Sequence, residues 1–192
     1  GGSFGLKIHT FGDEVAATAA AIKLARPVKF VADRLESFAT DIHARENRVK
    51  GRIAVTKSGI ITSMDIDVRS GAGAYSQYPR TSVFEANQIL NITGGPYAHE
   101  NYRAKTQVVY LNKVPTSQYR AVGHPIGNSV GESLVDQAAN ACGIDPMEFR
   151  RRNVMRDDSY PRVSAAGIEM RDLSHQQCLE TLVKRMGYDS LR

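Results

Sequence analysis

RVKGRIAVTKSGIITSMDIDVR, residues 48–69, is the stretch that decides the fold class. Two runs rich in β-branched residues, 48–56 and 60–68, flank Lys57-Ser58-Gly59, and glycine supplies the backbone freedom a tight turn needs. The stretch therefore predicts a β-hairpin. Upstream, Val28, Phe30 and Ala32 alternate with Lys29 and Val31 and predict another strand. It follows an Ala-rich helix over residues 13–25 that Arg26-Pro27 ends, because proline cannot continue a helix and restricts its predecessor. Downstream, the Gly- and Tyr-rich run from Ser70 to Tyr78 predicts a loop, residues 80–91 a short helix, Gly94-Gly95-Pro96 a break, and residues 102–111 a strand.

Beyond residue 120 the pattern changes. Ser129-x-x-Glu132 has capping-box spacing and predicts a helix start, with Val130, Leu134, Val135, Ala138 and Cys142 on one face. Asp145-Pro146-x-Glu148 predicts a second helix, with an acid at the cap and proline in the first turn. Ser174-x-x-Gln177 predicts a third, with Leu179, Leu182, Val183 and Met186 inward and Gly187 as its stop. The fold class that follows is α+β: a mixed sheet with a hairpin in a strand-rich 1–120, and packed helices in a helix-rich 121–192.

Composition narrows the function classes. With 192 residues, 42% of them hydrophobic, 23% charged and 7% aromatic, the chain falls in the globular range, and disordered, collagenous and disulfide-scaffold classes are excluded. A chain of this size buries about 70% of its unfolded surface, enough for a core. No apolar run approaches the ~20 residues of a membrane span, so no membrane partner is expected. Cys142 and Cys178 give neither a disulfide framework nor metal-ligand spacing, which points to a reducing, cytoplasmic setting. The net charge of +5 permits an acidic partner without requiring one. The opening Gly1-Gly2-Ser3-Phe4-Gly5-Leu6-Lys7 is no secretory signal and has no initiator Met; it reads as an internal functional loop laid bare by truncation or processing.

That opening is the first candidate site. Its glycines allow backbone N–H groups to approach an anion, although the spacing is neither a Walker A loop nor a dinucleotide fingerprint, and a plain turn has the same pattern. The second candidate is Gln118-Tyr119-Arg120-Ala121-Val122-Gly123-His124-Pro125, where an arginine and small residues precede a helix; it suits a phosphate or oxyanion, and equally a structural loop with a surface arginine. Arg150, Arg151, Arg152 and Arg156 form a basic cluster. Acids surround them and Phe149 is the one adjacent aromatic, so a solvated helix face or a subunit contact is expected and no nucleic acid. The histidines (His9, His43, His99, His124, His175) lack ligand spacing, so no protein-bound metal is expected, and two cysteines cannot hold an iron–sulfur cluster. Glu132 reads as a helix-start residue, with no catalytic role.

Together these segments resemble the molybdopterin-binding large subunit of the molybdenum hydroxylases, the xanthine dehydrogenase and aldehyde oxidase family. Gly2-Ser3-Phe4-Gly5-Leu6-Lys7 is similar to the family's GGGFGGK loop, with Ser and Leu at two glycine positions. Arg26-Pro27-Val28-Lys29, Asp33-Arg34-x-Glu36, Gly71-x-Gly73-Ala74-Tyr75 and Tyr119-Arg120-Ala121-Val122-Gly123-His124-Pro125 resemble its RPVK, DRxE, GAY and YRGFGxP segments. Asp136-x-Ala138-Ala139, Gly143-Ile144-Asp145-Pro146-x-Glu148 and Arg151-Arg152-Asn153 continue in the family's order, so the resemblance covers nearly the whole chain.

The resemblance implies an enzyme that oxidises C–H to C–OH with oxygen from water at a molybdenum held by a pterin dithiolene, the protein binding and orienting that cofactor. It implies cofactor contacts from Gly2, Ser3, Phe4 and Gly5 and from Tyr119, Arg120 and Ala121, where a planar cation suits an anionic, oxygen-rich group. It places Ile8 and Val122 at substrate-pocket positions. Purine-oxidising members carry a glutamate and a phenylalanine there, and an arginine near the equivalent of His43; the carbon monoxide branch carries a cysteine where Ala121 stands. An aldehyde or an N-heterocyclic or aromatic small molecule is the substrate class left. The family's catalytic glutamate, in a downstream GxGE motif, is absent from these residues, and so are the iron–sulfur and flavin domains. The expectation is a partial molybdopterin-binding domain, residues 1–192, of a larger subunit: inactive alone, not retaining the cofactor, partnered by the rest of that subunit and by iron–sulfur and flavin units. A non-catalytic interaction module of the same fold and a basic nucleic-acid binder are the alternatives.

Overall fold

The hairpin of residues 48–69 organises a three-stranded sheet. A computed structural model of the chain describes residues 2–191, and in it β1 (Asn47–Val55), β2 (Ile61–Gly73) and β3 (Asn101–Tyr110) lie in the order β1-β2-β3. At the turn, Thr56 N donates to Ile60 O and Gly59 N to Thr56 O, both at 2.9 Å, with Gly59 at φ 78°. Along β1, half-buried and exposed residues alternate, as a strand with one covered face requires. The helices are α1 (Gly12–Leu24), α2 (Arg34–Thr40), α3 (Val83–Ile92), α4 (His124–Cys142), α5 (Pro146–Asn153) and α6 (His175–Met186), and a two-stranded ribbon pairs β4 (Arg162–Val163) with β5 (Glu169–Met170). The class is α+β. No helix among the described residues is long and apolar enough to cross a membrane.

The chain divides into two compact units interleaved in sequence, unit 1 (Gly1–Arg48, Val68–Gln88, Thr106–Gly123) and unit 2 (Val49–Asp67, Ile89–Lys105, His124–Arg192). Unit 2 has an apolar interior: Ile61, Met64, Tyr97, Val135, Ala138, Ala139 and Phe149 form one buried cluster. Gly51 belongs to it by subtraction, since a Cβ there would lie 2.8 Å from Leu134 Cδ1. Asn153 ties the hairpin turn to α5. Its Nδ2 donates to Gly59 O (2.7 Å) and Phe149 O (2.8 Å), and its Oδ1 accepts from Ile61 N (2.7 Å).

Unit 1 is built differently. Beside Ile42, Val68, Ala72 and Ala86 it buries His9, Ser70, Gln77, Ser82, Glu85, Thr116, Ser117 and Gln118. Helix α1 forms from alanines of high propensity, with Glu14 accepting from Phe11 N at its start and Ala25 in the left-handed conformation at its end. Helix α2 opens on a reciprocal capping box, Glu36 N to Asp33 Oδ1 and Asp33 N to Glu36 Oε2, both 2.8 Å. Neither helix buries a residue, and Ile22 and Leu35 are 77% and 75% exposed.

Four local expectations are corrected. Residues 27–33 form no strand: no neighbouring strand among the described residues offers them a ladder, and Val28, Phe30 and Val31 stay exposed. Residues 70–73 extend β2 instead of opening a loop, because Gly71 and Gly73 let neighbouring segments approach; a Cβ on Gly71 would lie 2.6 Å from Leu111 Cδ1. Helix α4 starts at His124, with Pro125 in its first turn, so Ser129 lies inside it and its hydroxyl donates back to Pro125 O at 2.7 Å. Helix α6 buries Val183 alone of its expected inward residues, since it packs on the short turns Asp157–Ser159 and Tyr188–Ser190. Ser174 makes no side-chain cap; the Asp157 carboxylate accepts from Gln176 N and Gln177 N instead, both at 2.9 Å.

Candidate functional site

Gly2–Gly5 and Tyr119–Ala121, far apart in sequence, meet within unit 1. Arg120 N donates to Phe4 O at 2.7 Å, and the Arg120 guanidinium carbon lies 5.9 Å from the centre of the Phe4 ring. A Cβ on Gly5 would stand 2.6 Å from Gln118 O, so only glycine permits this approach of two backbones. Ser3 shapes the first segment from within: its Oγ accepts from Gly5 N at 3.2 Å and its carbonyl from Lys7 N at 3.1 Å. Gly1 lies outside the described residues.

Backbone strain collects here. Phe4 (φ 52°), Arg45 (φ 64°) and Ala121 (φ 70°) are three of the five described non-glycine residues in the left-handed region. Each such residue costs about 1–3 kcal/mol and persists only where its surroundings over-determine it. The second segment is held through its flanks. The buried His9 ring bridges Tyr78 O and Ser117 Oγ, each 3.3 Å away, and Ser117 Oγ also contacts Arg80 O at 3.1 Å. Burial holds the His9 pKa below its ordinary value, with a smaller push down from Arg80 and a partial offset by the Tyr78 carbonyl.

Two features give this surface the chemistry to accept an anionic, oxygen-rich group. Arg120 is exposed, and among the described residues no carboxylate lies within ion-pair distance of its guanidinium. Gln118, 1% exposed and adjacent to both segments, has an amide Nε2 with no hydrogen-bond partner, an orphan donor of the kind that ligand sites retain. A hollow of about 400 Å³ opens beside them, lined by Leu6, Phe38, Ile42 and Tyr119 with Arg34, Asp41 and His43. The Asp41 carboxyl is pushed up, first by burial and then by Asp13 and Glu14. Ile8, exposed in the short turn Leu6–Ile8, and half-buried Val122 are not among the residues lining this hollow. Sequence reasoning also missed Gln118 as a donor and the pair Arg45–Glu85; their only signal was proximity to the motifs, since long-range contacts bring them to the site.

The remaining candidates have structural partners. Arg150 pairs with Glu132 (2.6 Å) and Asp136 (2.8 Å), Arg151 with Glu180 (2.9 Å), Arg152 with Glu148 (2.9 Å) and Arg156 with Asp158 (2.6 Å). Glu132 is no helix-start residue; it accepts from Arg150 and from the Tyr97 hydroxyl (2.8 Å). Burial, then that carboxylate, pushes the Tyr97 hydroxyl far above its usual range. Among the described residues no group of three or more His, Cys, Asp or Glu is placed to hold a metal ion. A metal at Arg120 would need ligands carried by an organic cofactor.

Comparison with known proteins bears on this geometry. Residues 1–154 match the molybdopterin cofactor-binding domain. The nicotine 6-hydroxylase large subunit of Paenarthrobacter nicotinovorans is 30% identical over 98% of this chain, which spans 23% of that protein. The putative xanthine dehydrogenase molybdenum-binding subunit of Escherichia coli is 30% identical over 94% of the chain and 23% of its own length. Quinoline 2-oxidoreductase from Pseudomonas putida superposes on the whole chain with a TM-score of 0.94 at 29% identity, the chain covering 24% of that structure. The chain thus spans about a quarter of the length of the relatives it matches, and it belongs to the family of molybdopterin cofactor-binding domains found in molybdenum hydroxylase large subunits.

Proposed function

We propose that this chain supplies two of the segments that hold the molybdopterin cofactor in a molybdenum hydroxylase large subunit, Gly2, Ser3, Phe4 and Gly5 in one and Tyr119, Arg120 and Ala121 in the other. The observation that carries the reading is the Arg120 N–H bond to Phe4 O, which joins both segments into one strained surface. The residues fit the group: a glycine approach that a Cβ would block, an orphan Gln118 donor, and an arginine with no carboxylate partner among the described residues. The cofactor, when bound, supplies a molybdenum redox centre at which a C–H bond is oxidised with oxygen from water. Arg120 binds its anionic part through a fixed planar set of donors, and the backbone of Phe4 and Gly5 sets how closely the group approaches.

The substrate in this reading is an aldehyde or an N-heterocyclic or aromatic small molecule. Two matched proteins are named for N-heterocycles, nicotine and quinoline, and this favours that half of the class. Ile8 and Val122, the substrate-pocket positions that the resemblance implies, offer neither the carboxylate nor the aromatic ring that a purine site uses. The catalytic glutamate comes from outside these residues, as do the iron–sulfur and flavin units that carry electrons away. A larger subunit also accounts for α1 and α2, which present Ile22, Leu35 and Phe38 to solvent and bury nothing. The chain alone holds no stoichiometric molybdenum and turns nothing over, which metal analysis and an activity assay on the purified chain test.

In the full-length subunit, Arg120→Ala removes a charge-assisted contact and lowers cofactor affinity about tenfold to a hundredfold. Molybdenum content and turnover are the measurements; wild-type values for both would overturn the role assigned to Arg120.

A further inference from the structure

Within unit 1 an ion pair between half-buried Arg45 and buried Glu85 acts largely on the backbone of a single loop. Glu85 is 4% exposed on α3, and its Oε1 lies 3.4 Å from Arg45 Nε and 3.1 Å from Gly123 N, which donates to it. The other end of the guanidinium reaches back to the same loop: Arg45 Nη2 donates to Tyr119 O at 2.7 Å and to Arg120 O. Two successive carbonyls therefore turn toward Arg45 while the N–H four residues after Tyr119 turns toward Glu85. Between these anchors Ala121 and Gly123 hold left-handed backbone, at φ 70° and 75°, and Arg45 itself sits at φ 64°.

We propose that Arg45 and Glu85 are positioning residues that set the loop 119–123 for its ligand; this rests on the cofactor reading given above. Three physical points support the assignment. Burying the Glu85 carboxylate is costly, and such pairs are weak general stabilisers compared with apolar packing, so its presence favours a specific geometric task. The hydrogen bonds of this pair, from Arg45 Nη2 and to Glu85 Oε1, go to peptide groups of one loop, which fixes φ and ψ where alanine otherwise avoids the left-handed region. The pair also neutralises itself, so Arg120 remains the charge that faces an anion. Lysine could not replace Arg45, because two carbonyls and a carboxylate on different sides call for a planar fork of donors.

The test exploits the exposed Arg120–Ala121 bond, a trypsin site inside the loop, with Lys29–Phe30 as a reference site in the same unit. In the purified chain, Arg45→Gln speeds cleavage at Arg120–Ala121 about tenfold relative to the reference cut, a ratio that reads opening of the loop apart from the global stability lost when Glu85 is left unpaired. Glu85→Gln, nearly isosteric and still able to accept from Gly123 N, gives a smaller acceleration and decides the matter if the first variant does not fold. Equal acceleration at both sites, or none at Arg120–Ala121, overturns the proposal. In the full-length subunit both variants lose molybdenum. Retention in these two alongside loss in Arg120→Ala overturns the positioning role alone, whereas retention in all three overturns the cofactor reading beneath it.

Discussion

Residues 118–123 in unit 1 and 150–153 in unit 2 both carry arginine beside an amide side chain, and they meet opposite circumstances. In unit 2, Arg150 sits between Glu132 and Asp136, and Asn153 satisfies three backbone groups of the turn and helix around it, next to an apolar core. In unit 1, Arg120 has no carboxylate among the described residues, Gln118 keeps an orphan amide donor, and the interior around them is largely polar. A region whose polar groups are all answered is built for stability. Strained backbone and unanswered donors held in a fixed place are what the proposed cofactor role would require.

This contrast is open to attack by mutation, most strongly at Asn153. Asn153→Ala strands Ile61 N–H and two carbonyls in a buried site, at about 1–3 kcal/mol each before relaxation, so unfolding in denaturant should show a loss of about 3–5 kcal/mol. A loss below about 1 kcal/mol would mean that the turn does not depend on its side-chain bonds.

A middle-sized effect is expected from pH. Burial depresses the folded-state pKa of His9 below the ordinary imidazole value of about 6.5. The unfolded chain therefore binds a proton that the folded chain refuses. The contribution is fully present above pH 6.5 and is lost as pH falls toward the folded value. Thermal midpoints should drop between about pH 7.5 and about pH 5.5, and His9→Gln should flatten that slope. An identical slope in the variant would show that the first loop is not anchored through this ring. The smallest effect belongs to Arg120→Ala, which should leave the stability of the isolated chain within about 0.5 kcal/mol, because the side chain is exposed and answers to no carboxylate. A much larger loss would place Arg120 with Asn153, as a structural residue.

The same contrast explains what could be read from sequence. The hairpin, the Asp145 cap of α5 and the Gly187 stop of α6 are written in adjacent residues, and Gly187 indeed sits at φ 60°. Asp33-x-x-Glu36, quoted as a family signature, is also a local device, the capping box of α2. Local rules failed wherever a distant group intervened. Asp157 caps α6 in place of Ser174, and alternation at 28–32 makes no strand without a neighbour. The two candidate segments stood out through their motif resemblance, but their meeting was not written there. Arg45 and Glu85 carried no motif, Gln118 lay in the second candidate segment without being marked as a donor, and the contacts of all three arise only from the topology of unit 1.

The account is tested most directly by locating molybdenum through its anomalous scattering in crystals of the full-length, cofactor-loaded subunit. It predicts a pterin-bound metal beside Phe4, Gly5 and Arg120, with the Arg120 guanidinium on an anionic oxygen of the cofactor. A molybdenum peak remote from both segments, with Arg120 still facing solvent, would contradict it.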